Sequence, residues 1–250
     1  MKSLEGRGAL LVGTRRVGAV VARRLAAEGV NLAISYRRSR AEAEQLRTSL
    51  AGDAGRVVVV VQGDMNVEQD VRRVVDESAR ALGGLSILVD LASDYHHTPF
   101  EQLDGATWDQ GMAGARSAFL VTLHAARRMM DNAGPTRGHI VLFSDWAAGQ
   151  TPYPSYLPYL ASKATVDFLV RGFAVELAGH GILVNAIAPG PTLRPPGITE
   201  RAWAQDVLAK APLRRESTPE DIAEVVLALL KVESVTGETI RVDSGRHLEG

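Results

Sequence analysis

A tyrosine and a lysine four residues apart are the side chains best suited to proton transfer in this sequence. Tyr159 and Lys163 begin a long stretch with helical spacing, and positions i and i+4 lie on one helix face. A phenol has an ordinary pKa of about 10, and a neighbouring ammonium stabilises the phenolate. The pair can therefore protonate an oxygen or nitrogen that becomes negative during a reaction. The same spacing is common in helices that have no catalytic role. The surrounding motifs must therefore decide whether this pair is catalytic.

A turn near the N-terminus contains the second candidate site. The segment Gly13-Thr14-Arg15-Arg16-Val17-Gly18 joins a predicted strand to a predicted helix. Glycines there allow backbone N–H groups at a helix N-terminus to approach a phosphate, and the two arginines also favour an anion. The glycines are five positions apart (18 − 13), which differs from the usual dinucleotide fingerprint. A plain tight turn is the alternative.

The end of the second predicted strand indicates which cofactor such a turn would hold. Arg37 and Arg38 stand where an NAD site normally has an acidic residue for the ribose hydroxyls. Two unit charges about 4 Å apart near a surface interact by roughly 4 kcal/mol before screening, and a third of that changes a preference about tenfold. We therefore predict NADP(H), with a solvated basic loop as the alternative. Asp64 is a candidate acceptor of a hydrogen bond from the adenine amino group, and the alternative is that it stabilises its own turn.

Short apolar segments rich in β-branched residues alternate with segments of helical periodicity. The apolar segments show little polar alternation, as expected of parallel strands buried on both faces. Gly29 and Gly83–Gly84 stand where helix C-caps are expected. The alternation predicts an α/β protein with a parallel sheet, helices on both faces and a single domain over residues 1–250. The predicted strands are residues 9–12, 30–34, 57–61, 87–89, 140–143, 182–187 and 239–242.

Composition excludes several functional classes. The 250 residues carry a net charge of −1 and are 46% hydrophobic and 23% charged, which is ordinary for a globular protein and argues against a nucleic-acid partner. The absence of cysteine excludes disulfides, thiolate metal sites and cysteine nucleophiles. No apolar run approaches the roughly 20 residues that span a bilayer, and no signal-peptide pattern is present. We expect a cytoplasmic protein that acts on a small molecule, without a membrane partner.

Five motifs, in this order, resemble those of the short-chain dehydrogenase/reductase superfamily, and the similarity covers essentially the whole chain. The resemblance implies a Rossmann-type, doubly wound sheet of seven strands, NAD(P) binding, and a homotetramer built on two long central helices. It implies that Tyr159 is the general acid and that Lys163 binds the cofactor ribose and activates Tyr159. The motifs are Gly13…Gly18, Asp64, Tyr159-x-x-x-Lys163, Asn185-Ala186-Ile187-Ala188-Pro189-Gly190 and Asp243-Ser244-Gly245.

The cofactor contacts that we predict follow these motifs along the chain. They are Gly13, Arg15, Arg16, Val17, Gly18, Arg37, Arg38, Ser39, Asp64, Met65, Ala92, Ser93, Tyr159, Lys163, Pro189, Gly190 and Thr192. The segment 191–212 is expected to form a lid over the substrate, with a helix over 200–210 and Trp203 packed beneath it. The adjacent His96 and His97 cannot easily face one ion, and we predict no metal site.

Several departures from the common pattern resemble the pteridine reductase branch, which includes bacterial dihydromonapterin and dihydrofolate reductases. Asp145 stands in place of the usual catalytic serine, and Asp90-Leu91-Ala92-Ser93 replaces the usual Asn-Asn-Ala-Gly turn. The other similar segments are Arg15-Arg16-Val17-Gly18, Arg38-Ser39, Ala92-Ser93-Asp94-Tyr95, Thr98-Pro99 and Gly245-Arg246-His247-Leu248.

The chemistry of a pterin fits these residues, because reduction delivers hydride to a C=N bond beside N–H groups. A carboxyl group at Asp145 can accept from N–H and pass a proton to a ring nitrogen. Tyr95 can stack on the flat ring, and Arg16 can contact its carbonyl side. The predicted substrate contacts are Arg16, Ser93, Tyr95, Asp145 and Tyr159, and the predicted catalytic residues are Tyr159, Lys163 and Asp145. Each assignment has an alternative without a role in catalysis. Asp145 would then only form local hydrogen bonds in its turn, and Tyr95 would be a partly exposed aromatic residue in a loop.

Two other functions remain open at this point. The first is a carbonyl or 3-oxoacyl-thioester reductase in which Asp145 takes the place of the serine. The second is an NADP(H)-binding sensor or scaffold with little turnover, because the first turn is one residue short and Gly114 stands where the family's relay asparagine is expected. The interval from Asp145 to Tyr159 is 14 residues (159 − 145), about one longer than usual in the family.

Overall fold

Seven parallel strands form one sheet at the centre of the molecule. A computed structural model describes residues 3–51, 56–194 and 197–249. The strands are β1 (Gly8–Val12), β2 (Asn31–Tyr36), β3 (Val58–Gln62), β4 (Ile87–Asp90), β5 (Gly138–Phe143), β6 (Ile182–Pro189) and β7 (Thr239–Val242). Their order is β3-β2-β1-β4-β5-β6-β7, and all neighbouring pairs are parallel. This is the predicted Rossmann-type, doubly wound α/β sheet in a single domain.

Helices connect the strands and cover both faces of the sheet. They are α1 (Val17–Ala27), α2 (Arg40–Leu50), α3 (Glu68–Leu82), α4 (Gly105–Met129), α5 (Leu157–Ala178), α6 (Glu200–Ala202) and α7 (Pro219–Lys231). Asp104 and Thr218 cap α4 and α7 by accepting from the backbone nitrogen three residues on. Gly83 ends α3 in the left-handed region with a φ of 72°, as predicted.

Two apolar cores flank the sheet, because successive strand residues point to opposite faces. Leu10, Leu88 and Ile140 point to the face where α3, α4 and α5 pack. Leu11 and Val89 point to the other face, where α1, α2 and α7 pack. Both faces of the central strands are therefore covered, which explains why their sequences show little polar alternation.

The sheet reverses its winding between β1 and β4. Val12 at the end of β1 is in register with Asp90 at the end of β4, and Asp90 is in register with Leu142 of β5. Loops that leave neighbouring strands in opposite directions open a crevice at this carboxyl edge, where ligands bind in open α/β sheets. The edge brings together the turn after Val12, the turn after Asp90 and the loop after Phe143.

The predicted lid is helical but irregular. After α6, a π turn covers Trp203–Val207 and a 3-10 turn covers Leu208–Lys210. The predicted helical segment over 200–210 is therefore confirmed, but its helix type changes twice along these residues. Trp203 is buried and its indole N–H donates to the Glu216 carboxylate, as predicted for a packing residue. Pro195 and Pro196 of this segment lie outside the described residues.

The strand boundaries differ from the predicted ones by one or two residues. β2 begins at Asn31 and continues to Tyr36, because its pairing with β3 extends as far as Tyr36 and Gln62. Among residues 3–51, 56–194 and 197–249, no helix has the length and apolar character to cross a membrane.

Candidate active site

The turn after β1 has the geometry that a phosphate site requires. Gly13 has a φ of 80°, and a Cβ there would lie 2.6 Å from the Ala92 nitrogen. A Cβ at Gly18, the second residue of α1, would collide with the Gly13 carbonyl oxygen. Because neither position has room for a side chain, the backbone at the start of α1 can approach a ligand closely.

A cavity of about 710 Å³ lies in front of this turn, at the carboxyl ends of β1, β2 and β3. Its volume is within the range of ligand and cofactor sites. Ten of the predicted cofactor contacts line it, and these are Gly13, Arg15, Arg16, Arg37, Arg38, Ser39, Asp64, Met65, Ala92 and Ser93. The other predicted contacts lie outside its lining, and these are Val17, Gly18, Tyr159, Lys163, Pro189, Gly190 and Thr192.

Two carboxylates form ion pairs with two of the five arginines that line this cavity. Arg37 lies 3.7 Å from the Asp64 carboxylate, and Arg15 lies 3.1 Å from the carboxylate of Glu42. Asp64 also accepts from the Asn66 backbone nitrogen at 3.0 Å, so it stabilises its own turn while it faces the cavity. Sequence reasoning missed Glu42, which looks like an ordinary acidic residue in the first turn of α2.

Asp145 and Tyr159 meet at the end of β5. The Tyr159 hydroxyl donates to Asp145 Oδ2 at 2.8 Å, so the longer sequence interval does not separate them. Burial raises the pKa of both groups, and the nearby Asp145 carboxylate raises that of Tyr159 further. A hydrogen bond from the Ser93 side chain lowers the pKa of Tyr159 and so opposes these two effects. The site therefore holds a neutral phenol hydrogen-bonded to a carboxyl group that takes up a proton more readily than an exposed one.

Lys163 lies beneath this pair in α5, with its side chain buried. Its ammonium donates to the Phe143 carbonyl oxygen at 2.7 Å and lies 5.9 Å from the centre of the Tyr159 ring. Burial lowers the pKa of Lys163, while the charges of Asp90, Asp145 and Asp167 raise it. The predicted lowering of the Tyr159 pKa by this ammonium is not observed, because burial and Asp145 dominate.

Aromatic side chains form one wall of the site. Tyr95 stacks on Tyr156 with ring centres 4.3 Å apart and an interplanar angle of 18°, and it meets the Tyr159 ring edge-on at 4.9 Å. Tyr153 packs edge-on against Tyr156 and stacks on Trp146. Tyr153 and Tyr156 lie between β5 and α5 and were not predicted as site residues. Their single three-residue spacing (156 − 153) is too short a pattern to indicate this wall.

The segment after β6 contacts the first turn. The Arg16 guanidinium donates to the Leu193 carbonyl oxygen at 3.2 Å, and Arg16 has a φ of 53°, which is unusual for a residue with a side chain. Thr192 donates to the Gly190 carbonyl oxygen at 2.9 Å. Gly190 follows Pro189 and passes too close to Asp243 to accommodate a Cβ. Arg16 therefore connects the cavity to the start of the predicted lid.

Asp90 is a buried carboxyl group at the centre of the site that sequence reasoning did not assign. Its Oδ1 accepts from the Ala92 nitrogen at 3.0 Å. Burial raises its pKa to about 6, against the attraction of Lys163. Two features of the sequence could have indicated this residue. It ends a buried strand, and it is the first residue of the turn that departs from the family pattern.

Gly114 lines the cavity, whereas the two loop histidines lie outside its lining. A Cβ at Gly114 would contact the Ser162 hydroxyl at 3.1 Å, so α4 and α5 approach closely there. His96 pairs with the Gln110 side chain at 3.2 Å, and His97 packs edge-on against Tyr156. Within the described ranges, no group of three or more His, Cys, Asp and Glu side chains could hold a metal ion.

Comparisons with known proteins agree with this architecture. The family described as Enoyl-(Acyl carrier protein) reductase matches residues 13–247. A glucose 1-dehydrogenase of Gluconobacter oxydans is 31% identical over 255 residues, which cover 98% of this chain and 93% of the relative.

Two solved structures are similar over their whole length. A short-chain dehydrogenase from Burkholderia cenocepacia in complex with NADP has a TM-score of 0.89 and 29% identity, covering 98% of this chain and 99% of that one. FolM alternative dihydrofolate reductase 1 from Brucella canis, complexed with NADP, has a TM-score of 0.85 and 29% identity, with coverages of 98% and 96%. The fold, the glycine turn, the Tyr159–Lys163 helix and these matches together show that the chain is an oxidoreductase of the short-chain dehydrogenase/reductase superfamily.

Proposed function

We propose that this protein is an NADPH-dependent reductase that acts on the C=N bond of a pteridine, such as a dihydropterin or dihydrofolate. The observation that carries the proposal is the 2.8 Å hydrogen bond from the Tyr159 hydroxyl to the Asp145 carboxyl group. A carboxyl group at that position can accept from ring N–H groups and exchange protons with them, which a serine hydroxyl does less well.

The residues present fit NADP(H). The turn without room for a Cβ at Gly13 and Gly18 would receive the pyrophosphate, and Arg37 and Arg38 at the cavity would receive the 2′-phosphate. Lys163 would hold the ribose. The chemistry that the cofactor supplies when bound is hydride transfer to an electron-poor carbon. The NADP complexes of the two similar structures support this assignment.

The chain's own residues would move the proton. The Tyr159 hydroxyl carries its proton at neutral pH and can donate it to the nitrogen that becomes negative. Asp145, whose pKa is also raised, can return a proton to Tyr159 along their hydrogen bond. Tyr95 presents an aromatic ring beside Tyr159, against which a flat substrate ring can pack once Tyr156 moves aside.

The test is NADPH oxidation, followed by absorbance, with dihydropterins and dihydrofolate beside a 3-oxoacyl thioester and small ketones. Turnover confined to the pterins is the expected result, and turnover confined to the ketones or the thioester contradicts the pteridine assignment. Tyr159→Phe is the control for the chemistry. This variant should lose turnover by about 100-fold or more while its NADPH affinity stays unchanged.

A carbonyl or 3-oxoacyl-thioester reductase is the second candidate. The family description names an acyl-carrier-protein substrate and one relative is named as a glucose dehydrogenase, which favours such substrates. In that case Asp145 would replace the serine that holds a ketone oxygen. The same substrate panel separates the two candidates.

A sensor or scaffold without turnover is the third candidate. It is favoured by Gly114, which offers no side chain where the family's relay asparagine is expected. NADPH binding without oxidation across the whole panel would support it, and turnover that is lost in Tyr159→Phe would exclude it.

A further inference from the structure

Asp90 places a carboxyl group at the point where the sheet reverses its winding. It is the last residue of β4, in register with Val12 on one side and Leu142 on the other. Its side chain is buried, with the residue 4% exposed, and Oδ1 accepts from the Ala92 nitrogen at 3.0 Å. A buried carboxylate is costly unless a cation lies nearby.

Lys163 is a buried cation at the end of the neighbouring strand, β5. Its ammonium donates at 2.7 Å to the carbonyl oxygen of Phe143, which directly follows Leu142, the register partner of Asp90. Lys163 is 6% exposed. The two charges attract each other across the sheet edge, and each opposes the effect of burial on the other.

Two further carboxyl groups, one in the loop after β5 and one in α5 itself, act electrostatically on Lys163, and both have other hydrogen-bond partners. Asp145 accepts the Tyr159 hydroxyl at 2.8 Å, and Asp167 accepts the Thr239 hydroxyl at 3.0 Å. After burial, Asp90 is the largest influence on Lys163, ahead of Asp145 and Asp167. The backbone bond to Ala92 requires only an acceptor oxygen, which asparagine would also provide.

We propose that Asp90 is a positioning residue whose negative charge keeps Lys163 in its ammonium form against the Phe143 carbonyl. A residue that only stabilised the turn at Ala92 would need no charge. A charged Lys163 would donate most strongly to the ribose hydroxyls that it is proposed to hold, so Asp90 would act on the reaction through Lys163. This inference does not depend on which substrate is reduced.

The test is a titration of Lys163 in the cofactor-free protein by NMR of ¹³Cε-labelled lysine. The sequence has four lysines, Lys2, Lys163, Lys210 and Lys231, so the signal can be assigned with Lys163→Arg. Asp90→Asn preserves the shape and the acceptor for Ala92 but removes the charge. We expect its Lys163 titration midpoint to fall by about one pH unit or more. An unchanged midpoint in a folded Asp90→Asn variant would overturn the proposal.

Asp167→Asn is the matched control, because it removes a carboxylate that is a lesser influence on the same lysine. We expect a smaller fall in that variant, and an equal or larger fall would assign the role to Asp167 instead. A second measurement needs no substitution at all. In the unsubstituted protein, the Lys163 signal should shift in the pH range where the ¹³C-labelled Asp90 carboxyl titrates, and a Lys163 signal that is flat through that range would contradict the coupling.

Discussion

At the scale of single residues, the site is defined by titratable groups that burial has moved away from their ordinary behaviour. Asp145 and Tyr159 share a hydrogen bond, and burial raises the pKa of each. Lys163 lies below them with its pKa lowered by burial. Groups perturbed in this way in a crevice are typical of sites that transfer protons.

Asp145→Ser tests the proposed role of the carboxyl group. A serine hydroxyl can still bond Tyr159 and a ketone oxygen, but it cannot exchange protons with a ring nitrogen as a carboxyl group does. We expect kcat for dihydropterins to fall about 100-fold or more, with a smaller loss for ketones. Parallel steady-state kinetics on both substrate classes measure this difference. Equal losses for the two classes would remove the specific role of Asp145.

Asp90→Asn should also change the pH dependence of stability. Burial raises the pKa of Asp90 from 3.8 to about 6, so the folded state holds this proton more tightly than the unfolded state does. The resulting stability is fully present below pH 3.8 and is lost as the pH rises through 6. Between pH 4 and 7 the unsubstituted protein should therefore lose about 2 kcal/mol of unfolding free energy relative to the Asp90→Asn variant.

Urea unfolding curves at pH 4 and pH 7, followed by circular dichroism, measure that difference. Asp104→Asn is a useful comparison, because this carboxylate lies at the exposed start of α4 and its pKa is lowered by its bonds to Thr107. The lowered pKa means that the Asp104 carboxylate stabilises the folded state only once it is ionised. The Asp104→Asn variant should therefore become less stable than the unsubstituted protein as the pH rises. Identical pH dependence in Asp90→Asn and the unsubstituted protein would contradict the assignment of a buried, titrating Asp90.

At the scale of elements, the loops at the carboxyl edge of the sheet decide what can bind. The turn into α1 lies so close to the turn after β4 that a Cβ at Gly13 would collide with the backbone of Ala92. The end of β2 and the start of α2 place Arg37 and Arg38 at the far end of the same cavity. The pyrophosphate and the 2′-phosphate of a bound NADP(H) would therefore lie against different pairs of secondary-structure elements.

The double variant Arg37→Ala/Arg38→Ala tests the preference for NADPH. Loss of two charges near a 2′-phosphate should weaken NADPH binding about tenfold or more and leave NADH binding nearly unchanged. Arg40→Ala is the matched control, because Arg40 belongs to the same basic run but does not line the cavity. Fluorescence titration with both nucleotides measures the ratio, and an undiminished preference in the double variant would overturn the cofactor assignment.

At the scale of the whole molecule, the two long central helices leave apolar side chains uncovered. On α5, Phe168 is 64% and Val175 is 79% exposed. On α4, Phe119 is 41% exposed and packs against Phe173 with ring centres 5.7 Å apart. Exposed apolar patches of this kind are typical of subunit interfaces. We propose that these faces meet in the homotetramer that the family resemblance implies.

Charged substitutions on α5 test the assembly. Phe168→Glu and Val175→Glu would bury a carboxylate in the proposed interface, so we expect dissociation to smaller species in sedimentation velocity. Phe100→Glu is the control, since Phe100 is 81% exposed in a short turn before α4. If all three variants sediment like the unsubstituted protein, the interface lies elsewhere.

The sequence by itself determined the fold and the order of the motifs. Buried strands and helices with apolar stripes have strong local patterns, and Val71, Val74 and Val75, which are buried on α3, have the spacing of such a stripe. Strand ends were less certain by one or two residues, because pairing with a neighbour decides where a strand stops. Periodicity also could not show that residues 200–210 change from α to π to 3-10 geometry.

Only the tertiary structure decided which side chains meet. Asp90 and Lys163 are 73 positions apart (163 − 90) in the sequence, yet parallel strands bring their elements to one sheet edge. The stacking of Tyr95 on Tyr156 likewise joins two loops that share no local pattern. Burial and the charges contributed by other elements set the proton affinities of Asp90, Asp145 and Tyr159. These are properties of the folded environment, which no local spacing encodes.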